Sequence, residues 1–191
     1  MSFSSETKDA LARVPSDHAE CALAELVAVL CISGTVSLLG GGRMGMHVVT
    51  EHAPTARRLI RLMRQRFDVQ PELRASRQGR LGGRNSYSLS VAGEEAVTVL
   101  TACGVLRRDG EGRFSLRPAI PKEALAKTCC RRAFLRGAFL AGGSLSNPDK
   151  EYHLEFVAGD PRFGTALLAL LAKFALSAKM VRRKEAVVES A

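Results

Sequence analysis

The stretches LVAVLCISGT at residues 26–35 and LRGAFLAGGS at residues 135–144 decide the fold of this chain, because they are two versions of one pattern. Each is an apolar run at helical spacing that closes on a glycine, Gly34 in the first and Gly143 in the second, and the two glycines stand 109 positions apart. The third position of each run is small, Ala28 and Gly137, and each has another small residue four positions earlier, Ala24 and Ala133. Ala141 continues the stripe in the second run. Small groups along one face let two helices approach closely, so the stripe predicts that these helices pack on each other. Their glycine ends then lie together beside the strands that follow.

Working outward, the same order of elements is readable on both sides. Asp17 with Glu20 three residues on has the form of a capping box, and Leu23, Leu26, Val27 and Leu30 keep helical spacing, which predicts a helix over 18–33. Residues 35–38 and 44–50 read as a hairpin around three glycines. Pro54 then opens a helix whose apolar face is Ala56, Leu59, Ile60, Met63 and Phe67, leaving Arg57, Arg61 and Arg64 on its wet face. A second hairpin at 72–78 and 86–92, joined by a glycine-rich stretch, and a helix at 94–103 complete an α-β-β-α-β-β-α half.

Residues 105–120 read as a polar connection with a turn at Asp109 and Gly110, and Pro121 opens a short helical segment. From Thr128, taken as a cap, the order restarts. A helix runs to Gly142 and Gly143, strands follow around Ser144 and 152–157, and Asp160 with Pro161 opens a helix carrying Phe163, Leu167, Leu170 and Phe174 on one face. A hairpin at 179–183 and 185–190 comes last, without the closing helix of the first half. The expectation is an α+β protein with one half at 1–104, a linker at 105–127 and a second, truncated half at 128–191.

Composition limits what such a chain can be. Hydrophobic residues at 46% and charged residues at 25% suit a packed globular protein, and no window nears the roughly 20 apolar residues of a membrane span. Scattered charge in the first 24 residues argues against a signal peptide, so a cytoplasmic location is expected. The five cysteines include no CxxC pair, so neither a disulfide framework nor a zinc site is signalled; most read as small buried hydrophobes, with the adjacent Cys129 and Cys130 open to soft-metal or redox chemistry. A net charge of +9 favours an acidic partner, and the segment 57–84 alone holds nine arginines against Asp68 and Glu72. A solvated helix face and a polyanion surface both account for that segment.

The 135–144 run resembles the helix motif of the LAGLIDADG homing-endonuclease family at its Leu, Gly, Ala, Gly and Ser positions. The longer string CCRRAFLRGAFLAGGSLSNP at 129–148, YHLEF at 152–156 and the opening SFSSETK at 2–8 are similar to the WhiA group of bacterial sporulation and cell-division regulators. That resemblance covers the whole chain. It implies two pseudo-symmetric αββαββα halves packed through the motif helices, and a helix-turn-helix domain that this chain lacks.

The nucleases place a carboxylate at the base of each motif helix, because Mg²⁺ takes hard oxygen ligands. The matching positions here are Ser33 and Gly142, and no Asp or Glu occurs from 26 to 45 or from 131 to 148. No nuclease activity, metal, cofactor or small-molecule substrate is therefore expected. His47 and His153 sit at similar places in the two halves and read as shared strand packing rather than a metal pair. The resemblance implies duplex DNA as partner, met by Arg74, Arg77, Arg80 and Arg84 on one hairpin and Arg182 and Arg183 on its counterpart. A nucleoid-associated, non-enzymatic regulator is the expectation, and the alternative is a protein-interaction scaffold, its basic face turned to an acidic partner such as transcription machinery.

Overall fold

The computed structural model describes residues 2–16, 18–77, 85–116, 118–147, 153–182 and 186–190. It opens with α1 (Phe3–Arg13), an element the periodicity did not reveal, capped by Ser2, whose Oγ accepts from the Ser5 amide at 3.2 Å. Helix α2 (Ala19–Ser33) is buried continuously from Cys21 to Leu30. A helix that is apolar on every side has no wet face to turn outward, so it becomes the central element. Strands β1 (Gly34–Leu38) and β2 (Met44–Thr50) follow, then α3 (Ala53–Phe67), β3 (Glu72–Arg77), β4 (Asn85–Ala92) and α4 (Gly93–Ala102). After the connection come α5 (Thr128–Gly142), β7 (Gly143–Leu145), β8 (Leu154–Ala158), α6 (Pro161–Ala172), β9 (Ala178–Arg182) and β10 (Ala186–Ser190). Between them β5 (Leu106–Arg108) and β6 (Phe114–Leu116) form a small hairpin of their own.

The two main sheets have the same antiparallel order, β1-β2-β4-β3 and β7-β8-β10-β9. Helices α2 and α5 join them along their small-residue faces. Ala24, Ala28 and Ala133 are buried to 1% or less. Gly137 lies directly on the α2 backbone: a Cβ there would stand 2.4 Å from the Glu25 carbonyl oxygen, well inside any permitted contact. Ala141 is half-buried at the edge of the same core. Both closing glycines have ordinary negative φ, −76° at Gly34 and −87° at Gly143. They are needed for closeness rather than handedness, since a Cβ would meet Leu30 O at 2.6 Å in one and Phe139 Cδ2 at 2.3 Å in the other.

Several local expectations change. The cap of α2 is His18 without a side-chain hydrogen bond, while Asp17 lies outside the described residues. Thr128 is the first residue of α5, and Lys127 occupies the cap position. The polar connection pairs its own backbone as β5–β6, because three residues on each side of the Asp109 turn reach ladder register. His47 and His153 are not equivalent. Gly34 pairs with Val48 and Gly143 with Phe156, so the counterpart of His47 is Glu155.

Within α2 sits Glu25, fully buried. Its carboxylate accepts from Arg58 of α3, through Nε and through Nη2 at 2.8 Å, and from Arg136 Nε of α5 at 2.9 Å. Arg58, itself 2% exposed, also donates to the carbonyls of Ala12 and Val14, which fixes the end of α1. A buried carboxylate is tolerable only when its lone pairs are filled, and here donors from two neighbouring helices, α3 and α5, fill them.

Candidate nucleic-acid interface

Side chains alternate between the two faces of a strand, so the register sorts the first sheet unambiguously. Met46, Val48, Leu89 and Val91 point to the helices and are buried. The opposite face carries Thr35, Ser37, His47, Val49, Ser76, Ser86, Ser88 and Ser90, with Glu72 and Arg74 on β3. It is a hydroxyl face. Arg74 is its one basic side chain among the described residues apart from His47, and its Nε stands 3.0 Å from Glu72 Oε1. Arg77 has the opposite strand parity, so it and Arg74 leave the sheet on different sides. Arg80, Arg84 and Arg183 lie outside the described residues, and Arg182 ends β9, its side chain likewise outside them. On the second sheet Ser144 pairs with Glu155, which puts an acid where the first sheet has His47.

A different cluster of positive charge faces solvent on the helical side. Arg13 of α1 and Arg57 and Arg61 of α3 line an open groove of about 520 Å³ together with Ala12, Pro54 and Ile60. The three arginines are exposed and form no ion pair among the described residues; Arg61 Nη2 donates to the Ala12 carbonyl at 3.0 Å. Sequence reasoning found two of the three on the wet face of α3. It missed Arg13, which becomes their neighbour only because α1 packs on α3.

The ends of α2 and α5 hold Ser33 and Gly142, the positions expected from the resemblance to stand where the nucleases carry acids. Ser33 Oγ donates back to the Val29 carbonyl at 3.1 Å, a bond that keeps the side chain on its own helix. Gly142 has no room for any side chain: a Cβ would be 2.7 Å from Ile32 Cγ2 and 2.8 Å from the Val157 carbonyl oxygen. Ile32 precedes Ser33, so the two helix ends do meet, but what meets is a methyl group and a bare backbone. Glu25 lies two turns back in α2, roughly 12 Å along the axis, and is consumed by Arg58 and Arg136. Among the described residues the one group of three metal-ligating side chains is made of thiols, with no carboxylate in it.

The WhiA N-terminal LAGLIDADG-like domain model matches residues 19–106, and the WhiA LAGLIDADG-like domain model matches residues 131–189. The chain belongs to the WhiA family. A probable cell division protein WhiA of Alkaliphilus metalliredigens is 38% identical over 185 residues, covering 96% of this chain and 58% of that protein. Its counterpart in Heliobacterium modesticaldum is 40% identical over 188 residues, covering 96% and 57%. This chain thus spans under three fifths of the length of these WhiA relatives.

Among solved structures, full-length DUF199/WhiA from Thermatoga maritima superposes over 100% of this chain and 57% of its own, with a TM-score of 0.71 at 20% identity. Mesophilic variants of the homing endonuclease I-DmoI superpose over 91% of this chain and 89% of theirs, with a TM-score of 0.60 at 13% identity. The fold is therefore that of the LAGLIDADG proteins, in the degenerate form of the WhiA family. No helix among the described residues is long and apolar enough to cross a membrane.

Proposed function

We propose that this chain is the non-cleaving LAGLIDADG-like part of a bacterial cell-division and sporulation regulator, and that it adds DNA-backbone contacts to whatever reads the promoter. The single observation that carries the non-enzymatic reading is Gly142, where the Val157 carbonyl and Ile32 occupy the space an acid would need. DNA as partner is supported by the net charge of +9, by the arginines of the β3–β4 and β9–β10 hairpins, and by a fold shared with an I-DmoI variant crystallised with its target DNA. Arginines that neutralise phosphates give affinity without sequence preference and with strong salt dependence.

Fluorescence anisotropy of the chain with labelled duplex DNA across a salt series, with Mg²⁺ present and the DNA run afterwards on a denaturing gel, tests both halves of the proposal. The expected result is binding whose log affinity falls linearly with log salt, by about 0.9 per phosphate neutralised, and intact DNA. Cleavage in Mg²⁺ refutes the non-enzymatic reading.

A second reading, a protein-interaction scaffold, is favoured by the groove of Arg13, Arg57 and Arg61 on the helical side. These arginines are exposed, while Arg74 on the hydroxyl face is already paired with Glu72. Absence of DNA binding at low salt selects that reading, with an acidic protein surface as the partner.

A further inference from the structure

Cys21 and Cys130 are 109 positions apart, the same offset as the closing glycines, so they are equivalent residues of the two motif helices. They meet across the helix pair with their Sγ atoms 4.0 Å apart, both buried. Cys129, exposed beside them, breaks the symmetry, and the three sulfurs lie within 4.8 Å of one another. We propose that Cys21, Cys129 and Cys130 form a three-thiolate site for a soft d¹⁰ cation, Zn²⁺ or Cu(I), that pins the two halves together at the end of the helix pair opposite Ser33 and Gly142.

The geometry is that of such a site before it closes. With a metal–sulfur distance of about 2.3 Å, three thiolates around one ion stand about 3.8 Å apart in a tetrahedral site and about 4.0 Å apart in a trigonal one. The Cys21–Cys130 separation already meets that spacing, and only the exposed Cys129 needs to move, through a side-chain rotation in open solvent. Soft sulfur donors select these ions over Mg²⁺ or Ca²⁺.

Electrostatics also fits an ion that replaces protons. All three cysteines lie in the first turn of a helix, α2 or α5, where the free amide ends favour a thiolate. The cation binds the thiolate form, so its binding releases the thiol protons, and Cys129, the exposed member of the three, faces the solvent from which the cation enters. Cys129 on the surface packs against no core, so a purely structural role as a small hydrophobe does not explain it.

The test is titration of the reduced, metal-free chain with Cd²⁺ alone, following the sulfur-to-cadmium charge-transfer band. The expected end point is one ion per chain with the intensity of three thiolates. Competition by Zn²⁺, and separately by Cu(I) under anaerobic conditions, tells which cation the site holds more tightly. Cys129→Ser, at an exposed position that leaves the fold intact, is expected to lower the band by one thiolate and weaken binding by about tenfold or more, the least that loss of even a supporting group costs a metal site. Cys31→Ser and Cys103→Ser are expected to leave stoichiometry and intensity unchanged. No stoichiometric uptake by the unmodified chain, or an unchanged titration in Cys129→Ser, overturns the proposal.

Discussion

Ser33 and Gly142 are the same position in the two halves, yet their surroundings differ in kind. At Ser33 the side chain folds back on the Val29 carbonyl of its own helix. At Gly142 the neighbours leave no space for a side chain, with Ile32 and the Val157 carbonyl inside the radius of a Cβ. One half carries a polar side chain turned back on its helix, and the other has no room for one. Packing makes the second position the harder to change, because placing a side chain there requires the helix pair or β8 to move.

The largest expected effect comes from the buried acid of the helix pair. Glu25→Ala leaves Arg58 buried and Arg136 nearly so without a counter-charge, and urea denaturation is expected to show a loss of about 3–5 kcal/mol. Arg136→Ala is expected to cost less, since Arg58 still neutralises Glu25; equal losses would mean that the second half contributes as much to this network as the first.

Restoring the acids sharpens the contrast directly. Gly142→Asp is expected to destabilise by about 1–3 kcal/mol through overpacking, and Ser33→Asp by less than about 1 kcal/mol, with neither variant, nor the pair, cutting DNA in Mg²⁺. Equal stability of the two single variants would break the comparison.

Smaller effects separate the repeated helices α3 and α6, which share a proline in the first turn but differ in their caps. His52 Nδ1 accepts from the Thr55 amide at 3.3 Å while its Nε2 donates to Asp9 of α1 at 3.0 Å, whereas Asp160 accepts from the Arg162 amide at 2.9 Å. The Arg162 guanidinium, hydrogen-bonded to Asp160, holds that carboxyl below the usual range. Its folded pKa is depressed, so its contribution is complete above the unfolded value of about 3.9 and is lost as pH falls through the folded value. Asp160→Ala is expected to cost about 1 kcal/mol at neutral pH and progressively less below about pH 4, read from thermal melts at each pH.

Smallest is Arg74→Ala. Its exposed pairing with Glu72 leaves stability within about 0.5 kcal/mol, and the expected change is a salt slope of DNA binding shallower by about one. An unchanged slope would take Arg74 out of the interface and turn attention to the groove of Arg13, Arg57 and Arg61.

How far the sequence could carry this is clear from particular residues. The repeated runs at 26–35 and 135–144 gave the helix pair, because burial writes itself into the spacing of apolar residues, and the glycine-rich turns marked the hairpins of the first half. The small stripe was visible for the same reason: Gly137 is where two backbones touch. Arg58 was not legible as a buried residue, since it shares a helix with Arg57 and Arg61, and only the position of Glu25 on another element turns it inward. The thiol cluster was equally hidden. Cys129 and Cys130 were adjacent, but the third sulfur is supplied by an offset of 109 residues that only the packed repeat makes short. The hairpin arginines were grouped through the family resemblance, and strand parity then separated Arg74 from Arg77.

The network around Glu25 also has a direction in time. Arg58 follows Glu25 by 33 positions along the chain, and Arg136 follows it by 111. Arg58 is therefore synthesised first, so the carboxylate can meet one counter-charge while the second half is still unmade. Its burial is completed only when α5 lays Gly137 and Arg136 against it, so the second half closes a core that the first half begins.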